Sequence, residues 1–189
     1  MQDGANTLRS LTLFVSSHFM FNVLGKLQSE ILSGEKREAI STLTLYSRIL
    51  RQASNFSAKD SVSFLEEGSF LDNYLKLEQG RFNETPFKYY IDGFDSETLL
   101  IEPFLIQPFV ELAVLGSLGT ENNLINIEFD NTQHTICIDS VMLNTEIRSK
   151  LAEKCEVTKQ RLEYFNHAYS VSETGQKFSQ KIILNKQTR

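Results

Sequence analysis

Between Thr7 and Leu32 the apolar side chains recur at helical spacing, with Leu11, Phe14, Val15, Phe19, Val23 and Leu27 on one face beside His18 and Asn22. This pattern predicts a helix that Gly34 ends. From Glu35 to Phe56 the helical period resumes through Ala39, Ile40, Leu43, Tyr46, Ile49, Leu50 and Ala53. The short link makes the two helices antiparallel, and two such hairpins commonly complete a four-helix bundle by pairing, so a homodimer is expected. A third helical pattern runs from Phe64 to Phe82, carrying Phe70, Leu71, Tyr74, Leu75, Leu77 and Glu78, and Gly80 weakens it near its end.

Beyond Pro86 the period changes to alternation. Phe87 to Asp92 reads as a strand, followed by a loop from Gly93 to Glu97, which sets a boundary near residue 85 and predicts domains over 1–85 and 86–189. Pro103 to Leu118 reads as an apolar helix, and Leu124 to Asp130 and Thr135 to Asp139 read as strands around a polar turn. Leu143, Ile147, Leu151, Cys155, Leu162 and Phe165 mark one long helix, whose spacing is that of a helix packed on a sheet rather than one reserved for a partner. His167 to Val171 and Phe178 to Leu184 are the last two strands, flanking Gly175. The expected class is α+β: a helical hairpin forming a dimeric four-helix bundle, then an α/β sandwich with a mixed sheet.

Composition narrows the partners. The chain has 189 residues, 41% of them hydrophobic, and a net charge of -5, which supports a substantial core and argues against nucleic acid or an anionic membrane as a partner. No apolar run reaches the length of a membrane-spanning helix, and no signal pattern stands at the start, so a cytosolic setting is expected, with a membrane reached only through upstream segments of a longer receptor. Cys137 and Cys155 lie in apolar patterns without metal-ligand spacing and read as reduced core thiols.

Four segments, in order, carry a family resemblance. Ser17-His18-Phe19-Met20-Phe21-Asn22 resembles the HFLFN phosphoacceptor box of the LytS-type sensor histidine kinases. Tyr46-Ser47-Arg48-Ile49-Leu50-Arg51 is similar to that family's second-helix segment. Glu67 with Asn73-Tyr74-Leu75-Lys76-Leu77-Glu78 and Arg81-Phe82 is similar to its "E…NYLxLExxRF" stretch, the most specific of the four. Pro103-Phe104-Leu105-Ile106-Gln107-Pro108-Phe109-Val110-Glu111 resembles the opening of its nucleotide-binding helix. The resemblance implies a dimerising histidine hairpin joined to a Bergerat-type (GHKL) ATP-binding sandwich.

The departures fall at the nucleotide. Leu112 stands where the family's asparagine helps to hold magnesium, and leucine has no lone pair to offer a hard cation. Glu111 remains as a water activator or magnesium-shell group, or as an acid paired locally. Asp139-Ser140-Val141 occupies the family's Asp-x-Gly turn, where the carboxylate reads adenine. The β-branched Val141 cannot relieve the crowding that glycine relieves. No glycine occurs between Gly119 and Gly175, so the phosphate-cradling turn and flexible lid are missing too. Nor is there a lysine or arginine between Lys88 and Arg148 to attract a polyphosphate. Leu112, Leu115 and Val141 are expected to fill the old pocket from within.

Three functions compete. The leading one is a degenerate kinase module acting as a dimeric scaffold or regulator in a two-component pathway, with no cofactor and with Glu111 and Asp139 as vestiges. The second is an active kinase that phosphorylates His18 using Mg-ATP and serves a LytTR-type response regulator. The third is a phosphotransfer protein whose His18 takes phosphate from another kinase or from a receiver. In the last two, Asn22 and Arg51 orient the imidazole or contact the receiver. Against these stand plainer readings: a satisfied histidine on a helix, solvent-facing polar residues at 22 and 51, and an aspartate at 139 that ends a strand and shapes a turn. His134 and His167 have no reactive neighbour in sequence, and Tyr74, Glu78 and Arg81 read as interdomain packing.

Overall fold

The computed structural model describes residues 17–81, 87–117, 123–141 and 158–185. The chain divides into two compact units: Met1–Asn83 with Leu99–Phe104, and Glu84–Thr98 with Leu105–Arg189. Its class is α+β, with a five-stranded mixed sheet.

The helical unit holds α1 (Ser17–Leu32), α2 (Lys36–Ser57) and α3 (Phe64–Arg81). Gly34, at φ +77°, closes α1. The Glu35 N–H donates to the Glu30 carbonyl at 2.9 Å and the Gly34 N–H to that of Ile31 at 3.2 Å, the double closure that a left-handed residue permits and glycine adopts without a steric penalty. α3 begins at a capping box. The Glu66 N–H donates to Ser63 Oγ at 3.1 Å, and the Ser63 N–H returns to Glu66 Oε2 at 3.0 Å. Lys59 Nζ pairs with Glu66 Oε1 at 2.5 Å, so this hydrogen bond, with that from the Ser63 backbone, holds the Glu66 carboxyl below its ordinary value.

Two short strands escaped the sequence reading. β1 (Val62–Ser63) and β3 (Leu100–Ile101) pair antiparallel, bringing 99–104 back to the helical unit. A two-residue strand has no alternation to read. The helix expected from Pro103 begins only at Gln107, because Phe104 stands at φ +60°, a left-handed conformation no helix accepts.

In the second unit β2 (Lys88–Asp92) pairs in parallel with β4 (Leu124–Asp130). β4 pairs antiparallel with β5 (Thr135–Val141), β5 with β7 (Lys177–Ile183), and β7 with β6 (Ala168–Thr174). The order across the sheet is β2-β4-β5-β7-β6. α4 (Gln107–Gly116) packs on β5 and β4. Gly93, at φ +79°, lets the chain leave β2, and a Cβ there would lie 2.3 Å from the Phe129 carbonyl oxygen.

Register decides which side chains meet α4. Ile127 faces Ile138, which faces Gln180, and the Gln180 side chain donates to the Phe109 carbonyl of α4 at 2.9 Å. Ile136, Ile138, Ser140, Phe178 and Ile182 therefore share the α4 face, and all are buried. Cys137, Asp139 and Val141 point to the opposite face. Cys137 is accordingly half-buried rather than a core thiol, though burial still raises its pKa. Cys155 and most of the expected 143–165 helix lie outside the described residues, and 158–164 is helical.

Candidate functional site

His18 lies in the first described turn of α1. The next residue, Phe19, is buried and stacks on Tyr74 of α3, with centroids 5.4 Å apart and planes 29° apart. Tyr74 thus packs on α1 within the helical unit. Asn22 is half-buried, and Arg51 is exposed on α2.

The other resemblance-bearing segments also touch one another. Arg48 Nη1 donates to Asn73 Oδ1 at 3.5 Å, and Asn73 Nδ2 donates to Gln52 Oε1 at 2.9 Å. The Phe104 N–H donates to buried Glu67 Oε2 at 3.2 Å, and its ring lies between Phe56 and Phe70, 5.2 and 5.5 Å away. The glutamate in "E…NYL" thereby supports the strained backbone at Phe104. Nothing in the spacing of Glu67 announced this, because its partner is 37 residues away.

Opposite this packed face, α1 leaves Phe21 71% and Ile31 61% exposed, with Leu24 also outside. α2 does the same with Ile40, Leu43 and Leu50. These positions recur at three- and seven-residue steps, which keep one helical face, so each helix carries a second apolar stripe.

The residues expected at a nucleotide site do not share one face of the sheet. Leu112 is 5% exposed on the buried face of α4. Glu111 is half-buried and takes a 3.5 Å hydrogen bond from Gln107 Nε2, the local pairing weighed as its alternative. Asp139 lies on the far face of the sheet. It does not end a strand or shape a turn, because β5 runs on to Val141. Its Oδ1 accepts from Ser179 Oγ at 2.5 Å and its Oδ2 pairs with Lys177 Nζ at 3.1 Å. Val141 shares that far face, so it does not join Leu112 in filling a pocket. Among the described residues no three acidic, histidine or cysteine side chains gather as a metal site, and no helix is long and apolar enough to cross a membrane.

His134 sits in the β4–β5 turn at φ +49°, and buried His167 Nδ1 accepts from the Asn185 N–H at 3.2 Å. The latter is a structural tie between the helix end and the chain after β7.

Residues 6–86 match the model of the histidine kinase family. A sensor protein LytS from Staphylococcus haemolyticus is 27% identical over 136 residues, 69% of this chain and 23% of the relative. An uncharacterised protein, YwpD, from Bacillus subtilis is 36% identical over 108 residues, 56% of this chain and 37% of that protein. The chain therefore spans about a quarter of LytS. A solved structure of a bacterial phosphotransferase superposes with a TM-score of 0.59 at 12% identity, covering 94% of this chain and 96% of that one, which shows a shared fold. Motif order, the family match over residues 6–86 and these relatives together make this chain similar to the LytS-type sensor histidine kinases.

Proposed function

We propose that this module is a kinase-shaped dimeric scaffold or regulator that does not itself bind Mg-ATP. The observation that carries the reading is Asp139. The carboxylate that would read adenine is engaged by Ser179 and Lys177 on the sheet face opposite α4, while Leu112 offers hydrocarbon where magnesium needs oxygen. The residues present do not fit the nucleotide and its metal. Homodimerisation is supported by the exposed stripes on α1 and α2, and the module's setting is the cytosolic part of a longer sensor protein, a reading supported by its similarity to a segment of the sensor protein LytS. Calorimetric titration with Mg-ATP is expected to give no saturable heat; binding at micromolar concentration overturns the proposal.

The packed helical unit favours a second reading, in which His18 takes a phosphoryl group from the aspartyl phosphate of a receiver, such as that of a LytTR-type regulator, or from another kinase. That route needs no nucleotide site in this chain. A phosphorylated receiver should label the wild type and leave His18→Ala unlabelled. Equal labelling of both removes this reading.

A further inference from the structure

The helical unit contains a crevice of about 420 Å³, lined by Lys26, Glu30, Arg37, Glu38 and Thr42, with Leu45 and Leu77 at apolar positions. Its polar groups are unevenly satisfied. Glu30 is 5% exposed, and its Oε1 takes both the Lys26 ammonium and the Thr42 hydroxyl, the latter at 3.1 Å. Its Oε2 is buried with no hydrogen-bond partner. A buried carboxylate oxygen left without a donor is costly, and native proteins rarely tolerate one without a water or ligand to supply it.

The cations around the crevice are also unequal. Lys26 is engaged by Glu30, and Lys76 by Asp72 at 2.6 Å. Arg37 and Glu38 are exposed and carry no described ion pair. Gly80 completes the arrangement, since a Cβ there would lie 3.0 Å from Lys26 Cε, so the glycine leaves room for Lys26 to run toward Glu30.

What remains in one crevice is an acceptor without a donor, a carboxylate and a guanidinium at the rim, and two leucines. We propose that it binds a small zwitterion of the apolar α-amino-acid class, with the ammonium satisfying Glu30 and Glu38, the carboxylate on Arg37, and the hydrocarbon against Leu45 and Leu77. A simple cation would face Lys26, Lys76 and Arg37, and a simple anion would face the two glutamates. A zwitterion answers both signs. The proposal does not depend on whether the chain binds ATP or phosphorylates His18.

The test is an amide-resolved NMR titration of the chain with L-leucine, alongside its two halves, 3-methylbutylamine and 4-methylpentanoate. L-leucine should give saturable shifts centred on Glu30, Arg37, Thr42 and Leu77, and each half-ligand should bind at least about tenfold more weakly. Arg37→Gln changes an exposed side chain and should keep the fold while weakening L-leucine by about tenfold. Glu30→Gln should weaken it as well. Absence of saturable shifts, equal binding of either half-ligand, or unchanged affinity in Arg37→Gln overturns the assignment.

Discussion

The two units treat their family-like residues differently. In the helical unit the resembling segments pack on one another: Phe19 on Tyr74, Arg48 on Asn73, Glu67 on the Phe104 backbone. In the sheet unit the corresponding positions are replaced, as at Leu112, or tied to a neighbouring strand, as at Asp139. A residue that holds the fold resists change whatever the protein does, because a cavity or an orphaned polar group costs stability at once. A residue that only meets a ligand is released when the ligand is no longer used. Strong resemblance in one unit and replacement in the other are therefore what the proposed loss of nucleotide binding predicts, and the helical motifs by themselves are evidence of fold more than of activity.

Tyr74 offers the largest test of that contrast. Tyr74→Ala should lower stability by about 3–5 kcal/mol in urea denaturation, since its buried ring stacks on Phe19. A small loss in Tyr74→Ala would mean that this motif is kept for something other than packing. Leu112→Asn restores the family's side chain at a buried site and should cost about 2–3 kcal/mol without creating Mg-ATP binding, because Asp139 stays on the other face of the sheet. Recovered binding by calorimetry would break the comparison at its centre.

The smallest effect lies at the start of α3. Ser63→Ala removes the cap and should cost about 1 kcal/mol. Glu66 adds a pH dependence with a definite sign. Its folded pKa is lowered, chiefly by the Lys59 hydrogen bond, so its contribution is present above the unfolded carboxyl's value and is lost as pH falls through the lowered folded one. The group is substantially exposed, so the slope is shallow. Glu66→Gln should flatten it in acid denaturation profiles, and an unchanged slope would deny the side chain this role.

Much of the architecture was legible because periodicity reports burial directly. The helices over 36–57 and 64–81 and the strand over 124–130 fall where 3.6-residue and two-residue repeats put them. The Ser63-x-x-Glu66 spacing of a capping box is likewise a local pattern of residue types. The β1–β3 pair was not legible, since two residues carry no period and their partners lie 37 to 39 positions away. Nor was the start of α4, where Pro103 looked like a first turn and the left-handed Phe104 is sustained by Glu67 from another helix.

By itself, the sequence carried the family resemblance, most of the helices and strands in their order, and the residue types at the positions that the resemblance assigns to a nucleotide, because these are properties of residue type and local repeat. Only the tertiary structure decided where Asp139 points. Its face of the sheet follows from the β4–β5–β7 register, and the Ser179 hydroxyl and Lys177 ammonium that engage it arrive from a strand about 40 residues further along the chain.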